Sequence, residues 1–464
     1  MSDICAKRVM IAALKSGSGK TLITCGLLKH LKDKGLDVVS FKCGPDYIDP
    51  MFHKKVLGID GRNLDTYFSG TEGVKRIVAE VGEKYAVMEG VMGIYDGMKA
   101  DSLEGSCYEA SKVTKTPVIL IADASGCGRT IISLIKGVLH DDTDCLIKGI
   151  ILNRISSSFY DSLKDVLIKE IRAFRSDVEL LGFFPKKPEL SIESRHLGLR
   201  LPKEIDLLRE KIEKSSKVLD ENIETDKIIR IMENAENLYV DLKENVAFND
   251  KKKKVNLAVA YDEAFCFYYK DNLDLFRENG VEIEFFSPLW DKTLPKDADG
   301  ILLGGGYPEL YLDRLSKNTN MLSSIRCAIE NNVPSLAECG GFMYLHKSVA
   351  DTDGNEYEMV GAIDGKCSFS GHLVRFGYMR INSANEDAFQ DELFGSLIGM
   401  KGHEFHYYDS SINGEAFVAG KPDNSRMWKC MITENNGIWG FPHFYYRSDP
   451  EFVLKFIDRM SEKK

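Results

Sequence analysis

The chain has 464 residues, of which 44% are hydrophobic and 28% are charged, and its formal net charge at pH 7 is -10. This length exceeds what one hydrophobic core usually serves, so it predicts two or three domains. The negative charge disfavours an electrostatic grip on nucleic acid or on an anionic membrane, and small-molecule partners are expected instead.

The same sequence predicts a cytoplasmic protein. No apolar run approaches membrane-spanning length, and the first segment leads directly into a motif-bearing strand rather than a cleavable signal. The eleven cysteines form neither a spaced framework nor a CxxC pair. Reduced thiols are therefore expected.

Two α/β domains are predicted in chain order. From Lys7 to about Gly182, apolar runs alternate with helical periodicity, which is typical of a doubly wound, mostly parallel sheet with helices on both faces. A charged, helix-prone stretch follows, and a second alternation of strands and helices begins at Val255. The expected division is therefore 1–245, a lysine-rich linker at 246–254, and 255–464.

A phosphate-binding loop is predicted near the N-terminus. The segment KSGSGKT lies between an apolar strand and a helix, which is the context that such a loop requires. Lys20 would neutralise phosphate charge and the Thr21 hydroxyl would coordinate Mg²⁺, beside the positive end of the helix dipole. Leu14 replaces the first glycine of the standard loop. The predicted nucleotide-binding residues are Lys15, Gly17, Ser18, Gly19, Lys20 and Thr21.

Two acidic motifs follow later strands of this domain. GPDYIDP contains Asp46 and Asp49, and MEGVMGIYDG contains Glu89 and Asp96. A carboxylate at the end of an apolar strand is costly without a cation or donors, so Asp46 and Glu89 are predicted Mg²⁺ ligands beside Thr21. Turn and capping roles are the alternative, with more weight for Asp49 and Asp96.

The second domain contains a candidate nucleophile. VPSLAECGGFMYL predicts a strand, a tight turn and a helix, with Cys339 at the turn. The helix N-terminus is expected to lower the pKa of this thiol. About thirty residues upstream, GGGYPE offers backbone amides for an oxyanion. The predicted oxyanion hole comprises Gly305, Gly306 and Gly340.

Three of the nine histidines are candidate bases, namely His403, His406 and His443. His403 and His406 have the spacing of a metal pair but no clustered third ligand, so we interpret them as strand-end residues bordering the active site. Glu404 is a candidate for orienting the base.

The motifs, in this order, resemble the cobyrinic acid a,c-diamide synthase family over almost the entire chain. They are the loop at Lys15 to Thr21, FKCGPDYIDPMFH, EGVMGIYDG, GGGYPE, AECGG, GHEFHYY and GIWGFPHFYYRSDP. The resemblance implies a dethiobiotin-synthetase-like P-loop domain, with Lys15 as its signature lysine, fused to a class I glutamine amidotransferase domain.

The implied activity is ATP- and glutamine-dependent amidation of the a- and c-acetate carboxylates of cobyrinic acid, in cobalamin biosynthesis, through acyl phosphates. The resemblance makes Cys339 the nucleophile and His443 the base, although Tyr445 stands where the family has a second histidine and other class I enzymes a glutamate. It also implies that strand-end loops contact the tetrapyrrole. The residues implied there are Asp46, Tyr47, Asp49, Tyr95 and Asp96.

Other hypotheses stay open at this point. The local motifs do not separate cobyrinic acid from nickel-sirohydrochlorin or hydrogenobyrinic acid as substrate, whereas GPDYIDP matches cobyric acid synthases less well. A partition-type nucleotide switch, with Lys15 acting across a dimer and no glutaminase, is an alternative from another class. Cys339 and GGGYPE argue against it, since a switch needs no elbow thiol. A homodimer is compatible with either hypothesis.

Overall fold

The computed structural model describes residues 2–4, 6–190, 192, 202–240 and 254–462. The chain folds into two compact units, Met1–Glu244 and Asn245–Lys464. The predicted linker 246–254 lies outside the described residues except for Lys254. No helix in the described ranges is long and apolar enough to cross a membrane.

The first unit alternates strands and helices. Its strands are β1 (Ser2–Ile4), β2 (Lys7–Ala13), β3 (Val38–Cys43), β4 (Gly61–Leu64), β5 (Tyr85–Glu89), β6 (Val118–Asp123), β7 (Ile147–Asn153), β8 (Glu179–Phe184) and β9 (Leu238–Val240). Its helices are α1 (Lys20–Asp33), α2 (Ile48–Phe52), α3 (Thr66–Ala79), α4 (Cys107–Val113), α5 (Thr130–Asp141), α6 (Ser157–Phe174), α7 (Pro202–Asn222) and α8 (Thr225–Glu233). A π-helical turn, His53–Leu57, follows α2.

The main sheet of this unit has the order β4-β3-β5-β2-β6-β7-β8, and all neighbouring strands are parallel. Every residue of β5 and of β6 is buried, because helices cover both faces. Alternate residues of β2 accordingly enter two cores: Met10 belongs to one and Ile11 to the other. The predicted doubly wound fold is confirmed.

The second unit contains more strands. They are β10 (Val255–Ala260), β11 (Phe265–Phe267), β12 (Val281–Phe286), β13 (Gly300–Leu303), β14 (Gly305–Gly306), β15 (Ser335–Glu338), β16 (His346–Ala350), β17 (Glu356–Glu358), β18 (Ile363–Phe369), β19 (Arg375–Ala384), β20 (Lys401–His406), β21 (Tyr408–Ser410), β22 (Phe417–Gly420), β23 (Met427–Cys430), β24 (Ile432–Glu434), β25 (Gly437–Gly440) and β26 (His443–Phe444). The helices are α9 (Lys270–Glu278), α10 (Leu312–Lys317), α11 (Thr319–Glu330), α12 (Gly340–Leu345), α13 (Glu386–Phe389), α14 (Glu392–Gly395) and α15 (Pro450–Ser461).

The central sheet of the second unit has the order β12-β10-β13-β15-β25-β24 and is parallel except for the edge strand β24. An antiparallel sheet, β23-β22-β19-β20-β26, contains many of the strands in the C-terminal part of the sequence. The strands β13, β15 and β25 are neighbours, and their carboxyl ends lead to GGGYPE, to Cys339 and to the segment of His443. Ligands bind at such edges of parallel sheets.

Candidate active sites

The loop between β2 and α1 is shaped to surround an anion. Gly17 and Gly19 have left-handed backbones, with φ of 73° and 86°, which glycine adopts without steric cost. A Cβ on Gly19 would lie 2.4 Å from Asn153 Nδ2, and that amide donates to the Ser18 carbonyl at 2.7 Å. The α-helix starting at Lys20 turns its free amides towards this loop.

A charged cluster lies beside the loop at the ends of β3 and β5. Thr21 Oγ1 donates to Glu89 Oε1 at 2.7 Å. Lys42 Nζ lies 2.7 Å from the same Glu89 oxygen and 2.5 Å from Asp49 Oδ2. Burial lowers the pKa of Lys42, but Glu89 and Asp49 together raise it well above its usual value. Lys42 was not predicted as a site residue. Its position in an apolar strand, shortly before GPDYIDP, could have indicated one.

Thr21 and Glu89 fit a magnesium ion. Glu89 is fully buried, and among the described residues its Oε2 has no hydrogen-bond partner. Mg²⁺ usually takes one or two carboxylates together with hydroxyl, water and phosphate oxygens. The carboxylate of Asp46 instead accepts the amides of Ile48 and Asp49, at 2.8 and 3.1 Å. Both of these bonds are accepted by Asp46 Oδ1, as in the capping alternative, and Mg²⁺ ligation by Asp46 stays a prediction.

The residues implied to contact a tetrapyrrole have internal partners. Asp49 is buried in its ion pair with Lys42. The Tyr95 hydroxyl donates to the Val138 carbonyl at 2.7 Å, and Asp96 Oδ2 accepts the Gly93 amide at 2.7 Å. Tyr47 is buried directly before α2. Their role towards a substrate stays a prediction.

In the second unit, Cys339 is held in a strained turn between β15 and α12. Its φ of 46° and ψ of -101° are unusual for a residue with a side chain. The Cys339 amide donates to the Gly440 carbonyl at 2.8 Å, which ties the turn to β25. A Cβ on Gly341 would lie 2.1 Å from the Leu303 carbonyl oxygen. The turn has the conformation of a nucleophile elbow, and only glycine fits at position 341.

The expectation of a lowered thiol pKa is wrong. Burial raises the pKa of Cys339 above its usual value, and the negative charges of Glu309 and Glu404 raise it further. The Gly340 amide, hydrogen-bonded to the sulfur, opposes this shift only in part. Because α12 spans only Gly340–Leu345, its dipole does not outweigh the loss of water around the thiol. The thiol therefore needs a base to react.

His443 lies against the glycine loop and next to a carboxylate. A Cβ on Gly305 would lie 2.3 Å from His443 Cε1, so this position also requires glycine. His443 Nδ1 is 3.7 Å from Glu338 Oε2, and Glu338 Oε1 accepts the Tyr446 hydroxyl at 2.7 Å. Glu338 directly precedes Cys339 in the chain. It is therefore the carboxylate beside the base, at a distance too long for a direct hydrogen bond, and an orienting role for it is a prediction.

The predicted oxyanion amides lie beside the elbow. The Gly306 nitrogen is 3.2 Å from the point that a Cβ of Gly340 would occupy. The neighbouring Gly304 amide, by contrast, donates to the Tyr268 hydroxyl at 2.8 Å. The structure thus brings Gly306 and Gly340 together next to Cys339.

The two remaining candidate histidines border this centre. His403 pairs with His443 across β20 and β26, and their rings stack 5.1 Å apart. Burial, followed by the charge of His443, lowers the pKa of His403 well below its usual value. His406 stacks on Phe441 with ring centroids 3.9 Å apart. Among the described residues no group of three His, Cys, Asp or Glu could hold a metal ion.

Glu404 does not orient His443 in this structure. Its Oε2 lies 3.2 Å from His406 Nε2, and its Oε1 accepts the indole N–H of Trp428 at 3.0 Å. The candidate orienter is therefore engaged by two other side chains, and Glu338 stands next to the base instead.

A phosphate loop in one α/β unit and a cysteine elbow in the other define a class of protein, the glutamine amidotransferases that carry their own nucleotide-binding domain. Two family models match the chain accordingly. Residues 9–199 match the CobQ/CobB/MinD/ParA nucleotide binding domain. Residues 256–440 match the CobB/CobQ-like glutamine amidotransferase domain.

Full-length relatives identify the family. The cobyrinate a,c-diamide synthase of Caldanaerobacter subterraneus subsp. tengcongensis is 37% identical over 459 residues, covering 97% of this chain and 98% of the relative. That of Clostridium acetobutylicum is 37% identical, over 97% of this chain and 100% of the relative. That of Saccharolobus solfataricus is 36% identical with the same coverage. The chain belongs to the cobyrinate a,c-diamide synthase family and is a glutamine-dependent carbon–nitrogen ligase, which confirms the resemblance.

Proposed function

We propose that the chain amidates the a- and c-acetate carboxylates of cobyrinic acid, in cobalamin biosynthesis, with ATP as the activating substrate and glutamine as the nitrogen donor. The observation that carries this proposal is the convergence of Cys339, His443 and the glycine loop at neighbouring strand ends, in a chain whose relatives match 97% of its length. The names of those relatives support cobyrinic acid as substrate.

Glutamine hydrolysis begins with transfer of the Cys339 proton to His443, because burial keeps the isolated thiol protonated. The thiolate attacks the side-chain amide carbon, and the amides of Gly305, Gly306 and Gly340 receive the oxyanion. His443 returns the proton to the leaving nitrogen, which releases ammonia and leaves a glutamyl thioester. Water then hydrolyses the thioester to glutamate and restores the thiol.

Synthesis of the amide takes place in two steps. A substrate carboxylate attacks the γ-phosphorus of ATP, giving an acyl phosphate and ADP, and ammonia then displaces phosphate from the acyl carbon. Lys20 and the loop amides bind the phosphates. A magnesium ion held by Thr21 and Glu89 would neutralise phosphate charge there. The GPDYIDP loop and Asp96 are proposed to position the macrocycle.

The test is product mass under matched conditions. The full chain is incubated with ATP, Mg²⁺ and glutamine, and with cobyrinic acid, hydrogenobyrinic acid or nickel-sirohydrochlorin in parallel. Two carboxyl-to-amide exchanges on cobyrinic acid, with ATP hydrolysis that requires the tetrapyrrole, are expected. Reaction of nickel-sirohydrochlorin or hydrogenobyrinic acid alone would replace the substrate and keep the chemistry. If none reacts while ATP drives dimerisation, the nucleotide-switch hypothesis is favoured.

A further inference from the structure

The imidazole of His443 is held at one edge by the glycine loop. A Cβ on Gly305 would lie 2.3 Å from Cε1 of this ring and 3.3 Å from each of its two nitrogens. Both nitrogens are equally distant and farther away than Cε1, as expected for a contact at the Cε1 edge. An edge contact limits sliding of the ring but does not fix its tilt. Proton transfer requires a ring nitrogen at hydrogen-bond distance from the thiol, so the face of the ring needs a support as well.

A second histidine covers one face of the same ring. His403 lies opposite His443 in the antiparallel pairing of β20 with β26, and both side chains are buried. The ring centroids are 5.1 Å apart, and the ring planes are inclined by only 17°. Nearly parallel rings at this separation are offset-stacked, which is a favoured arrangement of aromatic side chains. The contacts at the edge and on the face therefore restrict the imidazole of His443 in different directions.

The ring of His403 is itself fixed by a tyrosine. The Tyr269 hydroxyl lies 3.2 Å from His403 Nδ1, and Tyr269 is 1% exposed. The ring of Tyr445 meets that of Tyr269 edge-on at 5.4 Å, and the Tyr445 hydroxyl donates to Asp271 Oδ2 at 3.0 Å. Tyr269 and Asp271 lie at the start of α9. Because satisfied buried hydrogen bonds make side chains rigid, the start of α9 sets the orientation of His403.

His403 is also suited to support a base that becomes charged. Burial lowers the pKa of His403 well below its usual value, and the charge of His443 lowers it further. His403 therefore stays neutral when His443 takes the proton of Cys339. A neutral aromatic ring attracts a cation that lies over its face, whereas a second positive ring would repel it.

We propose that His403 is a positioning residue for the catalytic base. The Tyr269 hydroxyl fixes the ring of His403, and this ring, stacked on His443, holds the imidazole where it can take the Cys339 proton. In this role His403 acts only through His443 and transfers no proton itself. The inference rests on the proposed glutaminase half-reaction and adds Tyr269 and His403 to the residues that serve it.

The experiment measures glutaminase kcat and KM separately for three variants. His403→Ala removes the stacked ring and should lower kcat about 10- to 100-fold, because a misplacement of about 1 Å costs on the order of 100-fold. KM for glutamine should stay nearly unchanged, since the interaction serves the chemical step. His403→Phe keeps a neutral ring against His443 and should recover most of kcat. Tyr269→Phe removes only the hydroxyl and should cause a smaller loss of kcat than His403→Ala.

The pH profile distinguishes positioning from proton transfer. His403→Phe should keep the acid limb of the wild-type kcat/KM profile, because the replaced histidine is neutral in this range and the base is still present. Loss of that limb would mean that His403 itself carries the proton, and it would overturn the inference.

His372→Ala is the matched control, since it removes an exposed histidine of the same unit, and it should leave kcat and KM unaffected. Thermal unfolding reports whether each variant is folded. A folded His403→Ala enzyme with wild-type kcat, or one with a raised KM alone, would overturn the inference. If His403→Ala does not fold, wild-type kcat in Tyr269→Phe does the same. A wild-type chain that does not hydrolyse glutamine would instead contradict the proposed function itself.

Discussion

At the scale of single residues, we expect Glu338 to act on the base rather than on the substrate. Its carboxylate lies 3.7 Å from His443 Nδ1 and is fixed by Tyr446. Glu338→Gln keeps an acceptor for Tyr446 but removes the charge that stabilises a protonated imidazole. Glutaminase kcat should fall about 10- to 100-fold with KM nearly unchanged. In serine proteases, replacing the carboxylate of the catalytic triad lowers kcat by up to about 10⁴-fold.

The control for this residue is Glu358→Gln, on the exposed strand β17, which should keep wild-type kinetics. Glu338→Asp should recover part of kcat, because it restores the charge at a greater distance from the ring. A Glu338→Gln enzyme with normal kcat, or with a raised KM alone, would show that Glu338 is not a positioning residue for His443.

The pKa of Cys339 gives a second prediction at this scale. Burial raises it above the usual value of 9.0, so the thiolate fraction increases about tenfold per pH unit throughout the neutral range. Without glutamine, alkylation of Cys339 by iodoacetamide should therefore accelerate up to pH 9 without a plateau. Peptide mass spectrometry distinguishes alkylation of Cys339 from alkylation of Cys327, an exposed cysteine that serves as the internal control. A plateau below pH 8 would contradict the assigned shift.

At the scale of elements, the elbow depends on the close approach of α12 to β13. A Cβ on Gly341 would lie 2.1 Å from the Leu303 carbonyl oxygen, and backbone atoms cannot move aside as a side chain would. Gly341→Ala should therefore cost about 1–3 kcal/mol of stability and abolish glutaminase. Gly395→Ala, in α14 with nothing within 4 Å of its added Cβ, should do neither. Urea unfolding and glutaminase assays of both variants check this, and a stable, active Gly341→Ala enzyme would contradict it.

The elements that could be predicted from sequence are those encoded locally. The phosphate loop and the elbow each occupy one strand, one turn and one helix, and their glycines, lysine and cysteine stand within a few residues of each other. Apolar runs separated by helical periodicity were likewise sufficient for the doubly wound sheet. Both motifs lie at the strand ends where the sequence placed them.

The parts that could not be predicted depend on contacts between distant segments. Lys42 meets Glu89, 47 residues later, and Glu338 meets a histidine on the last strand of its unit. Burial of Cys339 is likewise a tertiary property, so the local signal of a helix N-terminus predicted the wrong direction for its pKa. Glu404 directly follows His403 in the sequence, and only its tertiary contacts with Trp428 and His406 show that it does not orient His443.

At the scale of the whole molecule, phosphoryl transfer and ammonia release are proposed to take place in separate units. One variant in each unit tests this separation. Lys20, at the start of α1, is proposed to bind phosphate, and Cys339 is proposed to release ammonia. Lys20→Ala should lose ATP hydrolysis and amide formation, whether glutamine or free ammonia is supplied. Cys339→Ala should lose amide formation from glutamine only, because its nucleotide site is intact and free ammonia replaces the missing half-reaction.

The matched control is Lys29→Ala, a lysine of the same helix that pairs with Asp33 near the solvent, and it should retain activity with both nitrogen sources. Amide formation from ammonia by Lys20→Ala would place phosphoryl transfer outside the loop. Amide formation from glutamine by Cys339→Ala would require another nucleophile. A third result would favour the nucleotide switch: both variants behave like wild type with ammonia, and Lys20→Ala alone loses ATP-dependent dimerisation. The phosphate loop would then not take part in amide synthesis, because a ligase cannot activate a carboxylate without binding the phosphate that it transfers.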